Sequence, residues 1–292
     1  MSERVTITPE MIRLYDEYTH VTLDRRGFME KLKRAAGSAA AAAAIVPLLE
    51  ANQARAAILA EDDPRVAAET VSWKGASGEM SGYLVKPAGA TGKLPAVIVI
   101  HENRGLNPHI RDVARRVAVE GFVALAPDFL SPAGGTPADE DQARDMIGKL
   151  DAMATLNDAV ATVAYLKGRE DAAGKVGAVG FCWGGGLVNQ LATAAPDLAA
   201  GVAYYGRTPD PKAVTNIKAA MLLHYAGLDE RINAGIAEYD AALKAAGVAH
   251  EIHVYDGVNH AFNNDTSAAR YDKAAADLAW GRTIAFFKAN LA

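Results

Sequence analysis

Cysteine is almost missing from this chain: Cys182 is the single one in 292 residues. One thiol cannot close an intramolecular disulfide, and alone it cannot build a zinc finger, a cysteine-ligated iron–sulfur cluster or a CxxC redox pair. Positive charge is also in deficit. With 30 Lys and Arg against 35 Asp and Glu, the net charge is −5, so a nucleic-acid partner has no compositional support. No apolar run reaches the roughly 20 residues that a spanning helix needs, which argues against a stable membrane anchor. What the chain does have is 50% hydrophobic residues and 26 glycines, enough for a large globular core. Cys182 is therefore either a buried small apolar residue or a lone reactive thiol.

The first 56 residues differ from the rest. Arg25, Arg26, Lys31, Lys33 and Arg34 precede an Ala-rich run that ends at Ile45-Val46-Pro47-Leu48-Leu49, and Ala54-Arg55-Ala56 follows as an A-x-A cleavage pattern. Leu23-Asp24-Arg25-Arg26-Gly27-Phe28-Met29 resembles a twin-arginine export signal, an address read by the export machinery. On that reading residues 1–56 are a signal, residues 57–292 are one domain, and the mature protein is periplasmic. The alternative is a cytoplasmic protein with an uncleaved N-terminus, its Ala-rich helix packed on the domain. The distance of the arginine pair from Met1, behind Glu10, Tyr15, Asp16, Glu17 and Tyr18, and the arrival of a lysine only after Glu30 count toward this alternative.

Beyond residue 56, short apolar runs bounded by Gly or Pro alternate with longer segments of helical period, the pattern of βαβ units and a mostly parallel, doubly wound sheet. Residues 66–73 and 80–85, separated by Gly75 and Gly78, predict an antiparallel hairpin at the sheet edge. Residues 96–100, 123–126, 176–181, 202–205, 221–225 and 252–255 predict central strands buried on both faces. Helices are expected at 110–120, 151–167, 185–195, 234–246 and 268–288. The longest connection, 127–151, contains an acidic helix start at Asp139-Glu140-Asp141 but no segment long enough for a separate lid domain. This predicts an open site shaped by loops at the strand ends.

The strand ending Gly180-Phe181 runs into Cys182-Trp183-Gly184-Gly185 and then a helix. This is G-x-nucleophile-x-G in the strand–turn–helix context that its chemistry requires, with Cys in the place of the usual Ser. A nucleophile at the apex of a tight turn leaves no room for side chains two residues to either side, so glycine stands there. A nucleophile needs a base and the base an orienting group. Asp229 follows the run 221–225 and His260 follows 252–255, in the chain order nucleophile, Asp, His. The other histidines have blander readings: His224 lies inside an apolar run, His250 and His253 flank or face out from one strand, and His20 and His109 stand in polar surface context. The oxyanion formed on attack needs two convergent donors, for which the backbone N–H groups of Trp183 and Asn103 are placed. Glu102, beside Asn103, would put a carboxylate near the thiol, although an acidic residue after a strand is commonly a solvated charge or a cap.

His101-Glu102, Ala126-Pro127-Asp128, Gly180-Phe181-Cys182-Trp183-Gly184-Gly185, Tyr204-Tyr205-Gly206, Gly227-Leu228-Asp229 and Asn259-His260-Ala261-Phe262 together resemble the dienelactone hydrolase (carboxymethylenebutenolidase) family, from about residue 66 to the C-terminus. The resemblance implies an α/β-hydrolase fold without a large lid domain and no cofactor or metal. It also implies a Cys182–His260–Asp229 triad that hydrolyses ester or lactone bonds through a thioester acyl-enzyme. Glu102 matches the family glutamate that contacts the resting cysteine and moves when substrate binds. A carboxylate there would disfavour a second negative charge, keeping the thiol protonated and less oxidisable.

The sequence departs from the family in one respect. The two arginines that hold the substrate carboxylate are missing: the loop after Pro127-Asp128 reads Phe129-Leu130-Ser131-Pro132-Ala133-Gly134, and Asn263-Asn264 follow His260. Arg104 or Arg207 would have to reach in, with Asn264 as a further candidate contact, although Arg104 could equally be a surface charge. The alternatives are a broader carboxylesterase or thioesterase for substrates without a carboxylate and, in another class, a non-catalytic interaction protein of the same fold.

Overall fold

A computed structural model describes residues 7–20, 23–50 and 58–292. The proposed cleavage pattern at 54–56 lies outside the described residues.

Eight strands form one sheet in the order β1-β2-β4-β3-β5-β6-β7-β8. The strands β1 (Val66–Lys74) and β2 (Glu79–Pro87) make the expected hairpin, closed by the Gly75 N–H on the Gly78 carbonyl at 2.8 Å. β2 runs antiparallel to β4 (Val123–Asp128), and from there the sheet is parallel through β3 (Leu94–Ile100), β5 (Ala172–Phe181), β6 (Leu198–Tyr204), β7 (Ala220–Ala226) and β8 (His250–Tyr255). The near-continuous apolar runs are explained by burial on both faces. In β3, Ala96, Ile98 and Ile100 enter one core cluster, while Val97 and Val99 enter the other.

Helices cover both faces. The first cluster lies under α6 (Ala152–Lys167), α7 (Trp183–Ala194) and α9 (Ile236–Ala245), and the second under α4 (Pro108–Val119) and α10 (Lys273–Leu291). Their starts are fixed by capping oxygens: Asn107 for α4, Asp151 for α6 and Asp272 for α10. The connection 127–151 holds α5 (Glu140–Ile147), capped by Asp139. A four-residue turn of helix, α8 (Glu230–Asn233), follows β7.

Two expectations are corrected here. Residues 252–255 belong to an edge strand: β8 pairs only with β7, and Glu251 and Val254 on it are exposed. His109 is not at the surface; it is 1% exposed and pairs with Asp265 at 2.9 Å.

The N-terminal segment forms three helices, α1 (Pro9–Thr19), α2 (Arg25–Ala36) and α3 (Ala39–Leu49), capped by Thr8, Asp24 and Ser38. Tyr15, Tyr18, Phe28, Leu32, Ile45 and Leu49 make a small hydrophobic cluster separate from those of the sheet. Among the described residues no single helix is long and apolar enough to cross a membrane, and α2 meets α3 at a bend of 111°. The C-terminal end of α1 reaches the carboxyl edge of the sheet, where the site lies.

Candidate active site

β5 delivers Cys182 at a sharp corner, with φ 55° and ψ −112°, directly before α7. The flanking glycines are required sterically. A Cβ on Gly180 would stand 2.2 Å from the Gly184 carbonyl oxygen, and one on Gly184 would stand 2.5 Å from the carbonyl oxygens of both Ile100 and His101. Cys182, Tyr205 and Ala261 are the only non-glycine residues with positive φ among those described, and Tyr205 and Ala261 both border His260. Backbone strain is thus concentrated where three strand ends converge.

The loop after β7 turns Asp229 inward. One carboxylate oxygen caps α8 by accepting from the Ile232 N–H at 3.3 Å, and the other accepts from His260 Nδ1 at 2.5 Å. His260 is 3% exposed, and its Nε2 has no hydrogen-bond partner among the described residues. Its donor atom lies within 4.8 Å of Cys182 Sγ. Burial works against charging His260, but a negative charge on Cys182 and the bond to Asp229 outweigh it and push the imidazole up to about 10. Burial would raise the Asp229 carboxyl, but the bond to His260 overrides this and holds it below its ordinary value.

α7 has no side-chain cap, so the first N–H groups of that helix, Trp183 included, have no intrahelical acceptor. His101 arranges the facing loop. Its Nδ1–H donates to the Glu102 carbonyl at 2.7 Å, its Nε2 accepts from the Phe129 N–H at 3.3 Å, and its ring stacks on Trp183 with centroids 5.2 Å apart. Asn103 follows in that loop, its side-chain Nδ2 donating to the Thr19 carbonyl at 2.6 Å.

The partner of the thiol is not the one expected. His20, taken from sequence as a surface residue, caps the C-terminal end of α1 and places Nε2 3.0 Å from Cys182 Sγ. Its Nδ1 faces the Asp16 carbonyl at 2.8 Å, which can only accept, so Nδ1 carries the proton and Nε2 offers a lone pair to the thiol. Burial, the neighbouring His260 and the charge of Arg231 hold His20 well below its ordinary value. Glu102 is buried and lines the same cavity as Cys182: one carboxylate oxygen accepts from Asn264 Nδ2 at 2.7 Å, and the other has no partner among the described residues. Asn264 therefore orients Glu102. Arg104 is held by Asp141 at 3.1 Å.

Beside Cys182 runs a groove of about 420 Å³, with Leu150, Leu187 and Ile147 on its walls and Arg144, Arg207 and Arg231 around it. Arg144 pairs with Asp141 and Asp145, whereas Arg207 and Arg231 are exposed and have no ion-pair partner among the described residues. Arg207 was visible in the sequence as a candidate. Arg231 was missed, although its place two residues after Asp229 could have suggested it. His20 left no local signal, because its contact spans 162 positions.

A dienelactone hydrolase family profile matches residues 80–291. A provisionally named carboxymethylenebutenolidase of Escherichia coli O157:H7 is 31% identical over 246 residues, covering 79% of this chain and 90% of that protein. The crystal structure of a provisionally named dienelactone hydrolase from Klebsiella pneumoniae superposes with a TM-score of 0.67 at 30% identity, covering 76% of this chain and 99% of its own. Brefeldin A esterase, described as a bacterial homologue of human hormone sensitive lipase, gives a TM-score of 0.64 at 15% identity over 96% of this chain and 92% of its own.

Proposed function

The chain belongs to the dienelactone hydrolase family, whose members hydrolyse ester or lactone bonds, and from that premise we propose that it works through a Cys182–His260–Asp229 triad and a thioester acyl-enzyme. The observation that carries this is the convergence of a strained Cys182 elbow with a buried, Asp229-oriented His260 whose Nε2 is free toward the thiol.

Substrate must first displace His20 from Sγ, since the two are in contact at 3.0 Å. His260 Nε2 takes the thiol proton, the thiolate so formed attacks the acyl carbon, and the carbonyl electrons move onto oxygen, where the Trp183 and Asn103 backbone N–H groups stabilise them. Collapse breaks the acyl–oxygen bond while the His260 imidazolium gives its proton to the leaving alkoxide. Water, deprotonated by His260, attacks the thioester, and the carbon–sulfur bond breaks to return the thiolate. Asp229 keeps the imidazole in the one tautomer that serves both steps. Arg207 and Arg231 favour a substrate with an anionic group lying in the groove, a role that the missing family arginines leave open. Steady-state assays of the full chain on dienelactone and on paired anionic and neutral aryl esters, with and without Cys182→Ala, test the reading. Turnover that survives the substitution overturns it.

For location we propose export to the periplasm through Arg25-Arg26, with cleavage after Ala56. Such a cut would take α1–α3, and His20 with them, away from Cys182. The seating of α1 on the site supports instead an uncleaved N-terminus, the premise of the cytoplasmic alternative. The N-terminal residue of the protein recovered from its source decides between them.

A further inference from the structure

Three atoms converge at the end of α1: His20 Nε2, Cys182 Sγ and His260 Nε2. We propose that they form a binding site for one thiophilic divalent cation, Zn²⁺ being the best chemical fit, in which the ion takes the place of the proton shared between thiol and imidazole. The donor atoms of the three residues all lie within 4.8 Å of one another. A tetrahedral ion with Zn–N near ~2.0 Å and Zn–S near ~2.3 Å holds its ligand atoms roughly 3.5 Å apart. The present 3.0 Å between His20 Nε2 and Sγ therefore needs to open by only about half an ångström.

The surroundings are those of a ligand set and go beyond three residues that happen to be close. Each histidine spends its Nδ1–H on a fixed acceptor, His20 on the Asp16 carbonyl at 2.8 Å and His260 on the Asp229 carboxylate at 2.5 Å. Both rings are thereby oriented with Nε2 toward the sulfur, the arrangement that gives zinc-bound histidines their orientation and basicity. His260 is 3% exposed and its Nε2 has no hydrogen-bond partner among the described residues, so a buried ring nitrogen faces the site unpartnered, and a bound ion would displace the proton it carries. The same three residues line both the groove and the smaller polar cavity beside Glu102, so a water or a substrate oxygen has room to fill a fourth position. From sequence no metal is expected, because one cysteine supplies one ligand. The fold adds two histidines, one of them from the N-terminal segment. Occupancy would hold the nucleophile in reserve and pin α1 to it.

The test is a binding measurement on the full-length chain, independent of whether it cleaves esters. Equilibrium dialysis against Zn²⁺ should retain one ion per chain, and Co²⁺ in its place should produce a near-ultraviolet sulfur-to-metal charge-transfer band. His20→Ala and the bulkier His20→Gln should each weaken binding at least about tenfold, and Cys182→Ser should abolish the band. His253→Ala, on the exposed edge strand, should leave both unchanged. Circular dichroism confirms that each variant is folded. Absence of stoichiometric binding, or wild-type affinity in both His20 variants, overturns the proposal.

Discussion

The N-terminal helices and the sheet domain meet at one sulfur atom but are held by different forces. Within the domain, strands and helices are joined by two apolar clusters from which water is excluded. Helices α1–α3 bury their own apolar cluster chiefly against one another and join the domain largely through polar contacts. Arg270 pairs with Asp16 at 3.0 Å, Tyr18 donates to Asp141 at 2.7 Å, Arg25 pairs with Asp141 at 2.5 Å and Asn103 donates to the Thr19 carbonyl at 2.6 Å. Polar contacts exchange for water at a small net cost, typically about 1 kcal/mol each, whereas opening a packed core costs far more. The proposed catalytic line therefore sits on the packed side of the molecule and its cover on the side held by polar contacts.

This contrast can be broken most forcefully at the nucleophile. Cys182→Ala should lower kcat/KM by about ten-thousand-fold or more, with Cys182→Ser keeping only slight activity, in assays on the best ester found. Asp229→Asn follows, with an expected loss of about a thousandfold or more in kcat as His260 loses its orienting acceptor and its favoured tautomer. Next come the groove cations. Removing Arg207 or Arg231 should cost about tenfold in kcat/KM for an anionic ester and little for its neutral analogue; equal losses on both would deny them a charge-reading role. On the N-terminal side the sign reverses. His20→Ala should make Cys182 react several-fold faster with iodoacetamide, and an unchanged rate would mean that the helical segment does not cover the thiol.

The smallest effect expected is on acid stability. Asp229 titrates below its ordinary value in the folded protein, so its contribution is complete above about pH 4 and is lost as pH falls through the lower folded value. Melting temperatures between pH 6 and 3 should therefore fall more steeply for the native chain than for Asp229→Asn. Parallel curves would remove Asp229 from the acid limb.

Much of the domain could be read without coordinates, because its signals are local. A β-branched run bounded by glycine predicts a buried strand, and the edge hairpin follows from residues 66–85 alone. β8 differs from the buried strand that Ile252, Val254 and Tyr255 predict, because its edge position is marked only by the weaker polar alternation. His109 and His20 depart from their predicted surface setting for a related reason: a histidine's neighbours in sequence say little about whether a distant carboxylate or thiol will meet it.

The sequence by itself determined the sheet, the elbow and the order of Cys182, Asp229 and His260. Glycines with no room for a Cβ and strands buried on both faces leave a chain few other conformations. Only the tertiary structure decided that the thiol rests on His20, that Glu102 turns to Asn264, that Arg104 is spent on Asp141 and that Arg231 joins Arg207 beside the groove. These are pairings between side chains far apart in the chain. Charge, hydrogen-bonding capacity and space select them only once the backbone has brought several possible partners within reach.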